Sequence, residues 1–530
     1  MAEITLDFTP RPQQQTILDF VKRSIERDKK FTIIDAPTGV GKSYAAVMIA
    51  DWYRKEINEK ARIDIITNTK ILQDQYIRDF KFAANIKGKN NYWCKRHNTD
   101  CGDASYLNKA NNSTCRVCPH RIAQSHWIKS PLSLTNFHLL TSYAMYSADM
   151  LAERGAKVLI VDEAHSFEET FCDFISSVFS RKSLERFDIW HTWMEKDLDD
   201  IESITALAKY VETTIIPLMN TKMEDLLEEA KEIRVRKKKL TLIQRADHID
   251  KAVCKYWRFI NDRDNFKGNW IFEKDLDQHG ETRILVEPVW GNIYLEDQFW
   301  KQYDHIIMMS GTILDPDLFT FIMGIDPEKS SYIALPCPFR PEKRPVVYVK
   351  FGKMSYYHKK DTFEKAVPVI RRILEKNHEH KGIIHTSNYE LSSWIQRSIK
   401  DNRLIFHESK TRESALDSHL KSKKESVIVS PSMFTGVDLK DDLSRFQIIL
   451  KVPFPNLTSK KIKRRLETKP EWYNWKALID LLQAYGRSIR NDDDWAETYI
   501  LDECFDQVLL NKLAPKYFLE ALKTKKLSIK

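Results

Sequence analysis

Residues 31–57 run FTIIDAPTGVGKSYAAVMIADWYRKEI: a short apolar strand, a turn with two glycines and a helix follow in immediate succession. FTIIDA is too short and too β-branched for a helix, whereas GKSYAAVMIADWYRKEI carries helical periodicity, and RIDIITNT (62–69) reads as the next strand. Strand, helix and strand in alternation predict an α/β domain built on a parallel sheet. The turn APTGVGKS (36–43) is the pattern G-x-x-x-x-G-K-[ST] with Ala36 in the first glycine position. Ala36, Pro37, Thr38, Gly39, Val40, Gly41, Lys42 and Ser43 are therefore candidate nucleotide-binding residues. Gly39 and Gly41 let backbone N–H groups turn toward phosphates, Lys42 reaches the β/γ-phosphates, and the Ser43 hydroxyl is suited to Mg²⁺. The N-terminus of the following helix faces the same anion.

A second stretch supplies the acids. KVLIVDEAH (157–165) is an apolar strand ending in two carboxylates, at the strand end where open α/β sheets bind ligands. Asp162 is the candidate Mg²⁺ residue and Glu163 the group that orients and activates an attacking water. Downstream, QAYGRSIR (483–490) sets Gln483, Gly486, Arg487 and Arg490 at helical spacing, so both arginines share one face. Arginine supplied to a phosphoryl-transfer site stabilises its charge, and an ordinary amphipathic helix with surface arginines has the same spacing.

Length and composition bound the rest. The chain has 530 residues, 42% hydrophobic and 30% charged, which reads as folded rather than disordered. No apolar run approaches the ~18 residues of a membrane helix, and MAEITLDFTPRPQQQ lacks a secretory pattern. A cytoplasmic protein with no membrane partner is expected. The α/β rhythm breaks at 82–128, a Cys-, Asn- and Lys-rich stretch, and resumes with SLTNFHLL and KVLIVDEAH. Residues 175–268 read as helical and charged, and WIFEKDLDQHGETRILVEPVW (270–290) as two strands about a turn. After the proline-rich PCPFRPEKRP (336–345), a second α/β series runs to the end. The parse is 1–81, 129–174 and 269–328 as one domain, interrupted at 82–128 and 175–268, with 329–530 as a second.

Four of the eight cysteines crowd the first interruption as Cys94-x₆-Cys101-x₁₃-Cys115-x₂-Cys118. Four thiolates suit tetrahedral Zn²⁺ or a [4Fe–4S] cluster, and this spacing does not separate the two.

APTGVGKS, VDEAH, MSGTIL (308–314 with its flanking strand) and QAYGRSIR occur in the order of the motifs of superfamily 2 helicases. With the cysteine stretch between the first two, the chain resembles the XPD/DinG group of iron–sulfur DNA helicases over essentially its whole length. RPQQ (11–14), TNTKILQDQ (67–75), TNFHLL (135–140), FTGVDL (434–439) and KVPFP (451–455) extend the resemblance. It implies two RecA-like motor domains with parallel sheets, the first carrying an iron–sulfur insertion and a helical, arch-like insertion. It implies ATP with Mg²⁺, Gln14 on the nucleotide base, Ser310, Gly311 and Thr312 as coupling residues, and Gly436 and Asp438 as nucleotide sensors. Gln483, Arg487 and Arg490 would complete the site from the second motor. SGTIL stands where SATL is usual, and Thr435 where an acid is common.

NYWC (91–94) and CPH (118–120) look like the entry and exit of the family's cluster segment, which implies [4Fe–4S] on Cys94, Cys101, Cys115 and Cys118, with Zn²⁺ as the alternative. The implied activity is ATP-driven 5′→3′ movement of a monomer on single-stranded DNA, with unwinding of duplex or forked DNA. A DNA-stimulated ATPase that remodels complexes without processive unwinding is the alternative.

Charge supports a polyanion partner. Residues 81–130 hold nine Lys/Arg against Asp100 and Asp103, so +7 of the chain's net +9 lies in this stretch. Tyr92, Trp93 and Trp127 are interleaved there, a mixture suited to backbone phosphates and stacked bases. Thr69, Lys70, Asn136 and Ser387 are the further candidates for DNA contact that the resemblance implies. Trp190, Trp193, Trp257 and Trp270 are expected in the core of the helical insertion, and the basic C-terminal tail as a solvated, disordered end.

Overall fold

Strands of an all-parallel sheet are buried on both faces and need continuous apolar runs. FTIID, IDIIT and VLIVD satisfy this, and every residue of the three is buried. The structure is a computed structural model that describes residues 4, 6–96, 98–102, 104, 118–233, 235–266, 268–277, 279–434, 439, 441–489, 494–510 and 512–526. Its strands in chain order begin with β1 (Phe31–Asp35), β2 (Ile63–Thr67), β3 (Ala84–Asn85), β4 (Trp93–Cys94), β5 (Thr99–Asp100), β6 (Leu132–Asn136) and β7 (Val158–Asp162). There follow β8 (Ser177–Ser180), β9 (Trp270–Leu276), β10 (Thr282–Pro288), β11 (His305–Ser310) and β12 (Ser330–Ala334). The second half adds β13 (Val346–Lys350), β14 (Gly382–His385), β15 (Leu404–Ile405), β16 (Val427–Ser430), β17 (Phe446–Ile449), β18 (Glu497–Ile500) and β19 (Leu522–Lys526).

The first parallel sheet has the order β12-β1-β11-β7-β2-β6-β3, and the second β15-β16-β14-β17-β18-β13-β19. These are the two RecA-like motor domains expected from the sequence. In the first, β1, β11 and β7 are neighbours, with Asp35 opposite Ser310 and Met309 opposite Asp162. The phosphate turn, the SGT segment and the acid pair therefore leave the C-terminal ends of three adjacent parallel strands.

The two interruptions are narrower or broader than the sequence boundaries. Ala84–Asn85 joins the first sheet as its edge strand, and the helix Pro119–Lys129 buries Trp127 against the motor core, so both ends of the first interruption pack with the motor domain. The helical insertion is closed at its base by a three-stranded antiparallel sheet, β8-β10-β9, so its fold runs to Pro288. Its long pair of helices, Ile216–Glu232 and Arg236–Asn265, packs side by side. Of its tryptophans, Trp270 is buried and Trp190 half-buried, but Trp193 and Trp257 are exposed, which corrects the expectation of core packing for those two. SLTNFHLL is a strand only to Asn136, whose side chain accepts from Leu139 N at 3.0 Å and starts a helix, Phe137–Tyr146. Within the basic tail, Leu522–Lys526 pairs in parallel with β13, because an edge strand needs only backbone groups to pair, and residues 527–530 lie outside the described residues.

One buried cation fastens the halves together. Arg465, on the second-half helix Lys460–Thr468, donates to Val289 O at 2.7 Å and to Glu168 Oε1 at 2.8 Å. Its guanidinium lies 4.5 Å from the Trp290 ring centroid and 5.0 Å from that of Trp472. Lys461 donates to Glu287 at 2.9 Å beside it. Removing one partner of a buried ion pair strands the other. Arg465→Ala is expected to cost about 3–5 kcal/mol and to lower the thermal midpoint. Arg465→Lys should recover only part, since an ammonium lacks the planar fork. Calorimetric scans of the three proteins check this.

Candidate nucleotide site

Gly39 (φ +92°) and Gly41 (φ +85°) lie in the left-handed region, and a Cβ at Gly39 would stand 2.1 Å from the Phe339 ring. No side chain caps the helix Lys42–Trp52 that Gly41 opens, so its first N–H groups point toward an anion position. The turn is held from outside by the helix Pro12–Glu26 and the residue before it. Gln14 Nε2 donates to Gly41 O at 3.3 Å, Arg11 Nη1 donates to Gly39 O at 3.0 Å, and Arg11 N donates to Gln14 Oε1 at 2.8 Å.

Opposite the turn, Asp162 is buried and Glu163 adopts φ +58°, an unusual conformation for a non-glycine residue. Burial and the neighbouring Glu163 push the Asp162 carboxyl up to about 6; Lys42 and a 2.8 Å hydrogen bond donated by Tyr76 Oη act against this. Lys42 Nζ is 3.8 Å from Glu163 Oε1 and donates to Ala36 O at 3.2 Å. His165 is held neutral by burial, its pKa lowered to about 4.

From Glu163 a line of polar side chains crosses the cleft. Glu163 Oε2 lies 3.5 Å from His165 Nδ1, which shares a 2.8 Å hydrogen bond with Ser310 Oγ. Ser310 Oγ is 3.3 Å from Thr312 Oγ1, which accepts from Gln483 Nε2 at 3.0 Å. Gln483 Oε1 in turn accepts from Arg487 Nη2 at 3.3 Å. The cleft has a volume of about 610 Å³, and Gln14, Thr38, Gly39, Gly41, Lys42, Ser43, Asp162, Glu163, Gln483 and Arg487 all line it.

Two family models match: a helicase C-terminal domain over residues 370–524, and the res subunit of type III restriction enzymes over residues 7–187. The chain is 23% identical to the ATP-dependent DNA helicase DinG of Photobacterium profundum, covering 76% of this chain and 70% of that one. It is 22% identical to the Escherichia coli K12 DinG helicase, covering 97% and 93%. A solved XPD helicase shares the fold with a TM-score of 0.63 at 14% identity, over 98% of this chain and 100% of that one. Family models, relatives and fold together support an XPD/DinG-like helicase of superfamily 2. The chain is an enzyme of the ATP-dependent helicase class.

Against the group's motifs, Ala36, Pro37 and Val40 are buried behind the phosphate turn. Gly436, Asp438, Arg490 and Cys115 lie outside the described residues. Among the candidates for a nucleic-acid track, Thr69 lines the cleft and caps the helix Lys70–Asp79, accepting from Leu72 N at 3.2 Å. Lys70 is exposed and donates to Asn91 Oδ1 at 3.2 Å. Asn136 is buried at its cap, whereas Ser387 (φ +63°) lines a second cavity of about 630 Å³ between the motors. Tyr92 is half-buried, accepts from Lys87 N at 3.0 Å and packs on His120; Trp93 is 58% exposed.

Cys94, Cys101 and Cys118 share one small cluster, with Cys101 and Cys118 Sγ 3.8 Å apart. Burial and the neighbouring thiols push Cys101 up to about 11. Among the described residues no group of three His, Cys, Asp or Glu converges as a metal site.

Sequence reasoning missed Tyr76, Arg11 and Phe339. Tyr76 falls within TNTKILQDQYIRD with no motif of its own, and Phe339 sits in the inter-motor linker between Gly39 and Ile489. Lys42→Ala is expected to abolish ATP hydrolysis in a steady-state assay. Tyr76→Phe removes a hydrogen bond that favours the Asp162 carboxylate, so its pKa rises further and the Mg²⁺ requirement for turnover should increase several-fold. The increase should be larger at pH 6 than at pH 8, since the lost ionisation matters most near the raised pKa; Mg²⁺ titrations at both pH values check this.

Proposed function

We propose that this chain is an ATP-driven DNA helicase that moves 5′→3′ on single-stranded DNA and separates duplexes. The observation that carries the reading is the line of hydrogen bonds from His165, 3.5 Å from Glu163, to Arg487, because it links the acid-pair segment of one motor to the other. There the helix Glu471–Tyr485 carries Gln483 and ends before Arg487, which sits in the following turn and not on the helix face expected from the sequence. Lys42 binds the phosphates, Ser43 and Asp162 take Mg²⁺, and Glu163 activates the attacking water. Arg487 and Arg490 stabilise the transition-state charge, Gln483 couples them to Thr312, and Gln14 contacts the nucleotide base. Gly436 and Asp438 act as sensors in the second motor. The strand passes Thr69, Lys70, Asn136 and Ser387, with Tyr92 and Trp93 on the cysteine segment near the duplex junction. A cytoplasmic monomer is part of this reading.

Cys94, Cys101 and Cys118, with Cys115, would hold a [4Fe–4S] cluster. The reading is supported by Cys94, Cys101 and Cys118 gathering in one small cluster, with Cys101 and Cys118 Sγ 3.8 Å apart. When bound, the group would cross-link a segment whose described residues include the short strand pair β4 and β5. Zn²⁺ on the same thiolates is the competing occupant.

The test is strand displacement from substrates with 5′ or 3′ single-stranded tails. Unwinding from the 5′ tail alone is expected; DNA-stimulated hydrolysis without unwinding would leave a remodelling ATPase in its place. Anaerobically purified protein is expected to contain iron and absorb in the visible, and Cys118→Ser to lose both, together with unwinding, while keeping some hydrolysis. A colourless protein loaded with zinc would overturn the cluster.

A further inference from the structure

In the second motor, the chain leaves β13 through the turn Lys353–His358 before the helix Lys359–Lys376 begins. Tyr356 and Tyr357 at its tip are 80% and 87% exposed, and their rings meet edge to face with centroids 5.3 Å apart. Exposure of two adjacent aromatic rings is costly for a surface that serves only solvent. The turn is nevertheless fixed. Met354 is buried and its N–H donates to Asp502 Oδ1 at 2.8 Å, while Thr362 Oγ1 donates to Lys353 O at 2.9 Å. Lys359 pairs with Glu390 at 2.5 Å, and its Nζ lies 5.8 Å from the Tyr356 centroid.

Glu390 opens the helix that follows Ser387, so this turn is fastened beside that residue. Ser387 Oγ donates to Lys451 O at 3.0 Å, and both Lys451 and Lys353 act on the Cys504 thiol. Lys353 and Lys360 are exposed around the rings, with His358 between them. Rigid, exposed aromatic rings among cations are what single-stranded nucleic acid needs: every base has a π-face and every linkage a charge.

We propose that Tyr356 and Tyr357 form a base-stacking platform for single-stranded DNA on the second motor, with Lys353 and Lys360 on its backbone. This rests on the DNA reading above and adds a contact outside the helicase motifs.

The test measures anisotropy of a fluorescein-labelled oligodeoxythymidylate with the full chain. Tyr356→Ala/Tyr357→Ala should bind about tenfold more weakly or worse, while Tyr356→Phe/Tyr357→Phe stays within about twofold, with unchanged thermal midpoints for both. An oligonucleotide of abasic residues should bind the wild type and the alanine variant alike, because stacking then contributes nothing. Equal affinity of wild type and alanine variant for the base-bearing strand would overturn the platform. So would self-association of the wild type that the alanine variant loses in sedimentation, which would make the tyrosines a contact between copies. If the wild type binds no single strand at all, the DNA reading itself fails, and that outcome is distinct from the others.

Discussion

The arrangement of the two motors hangs on the guanidinium of Arg465, enclosed by two indoles and hydrogen-bonded to Glu168 and Val289. Glu168 lies on the helix Phe167–Ile175, only five residues after Glu163 and directly continuous with the acid pair. Its Oε1 also accepts from Gly291 N at 2.7 Å, which ties in the base of the helical insertion. One buried carboxylate therefore joins three parts: the acid-pair segment of the first motor, the sheet under the arch, and a helix of the second motor. The Arg465 charge is tolerated this deep because the Glu168 carboxylate opposes it and Val289 O accepts from Arg465 Nε, and the same requirement makes the junction intolerant of small displacements.

The chemistry was legible in the sequence where it is local. A phosphate turn needs Gly39, Gly41, Lys42 and Ser43 within a few residues, and an acid pair at a strand end needs only VDE, so both stand out as strings. The two-motor fold followed from the same strings, since buried parallel strands are continuous apolar runs. What stayed hidden depends on distance through space. Tyr76 reaches Asp162, at the end of β7, from the helix that follows the neighbouring β2, Phe339 meets Gly39 from the linker, and Arg465 finds Glu168 almost 300 positions earlier. None of these has a spacing that could announce it. RVRKKK and KKIKRR look alike in the sequence, yet in KKIKRR two cations, Lys461 and Arg465, are buried in ion pairs while Lys463 and Arg464 face outward.

Cap residues show a related limit. The resemblance makes Thr69 and Asn136 candidates for DNA contact, since polar residues after strands often meet ligands. The same position is also where a helix begins, and an exposed N–H there takes the nearest side-chain oxygen. Thr69 and Asn136 each supply that oxygen, to Leu72 N and Leu139 N. Capping and ligand contact therefore compete for one atom. Thr69 still lines the cleft, so only the rest of its surface is left for a nucleic-acid strand.

Two of the connections between the motors differ in strength, and the difference bears on how they can be displaced. The line from His165 to Gln483 is made of neutral side chains with hydrogen bonds of 2.8–3.3 Å, each worth about 1 kcal/mol net and each replaceable by water or a phosphate oxygen. The Arg465 junction is an ion pair closed off from water, where losing one partner costs several times more. Any displacement of one motor against the other would therefore break the neutral line at a lower cost than the Arg465 junction.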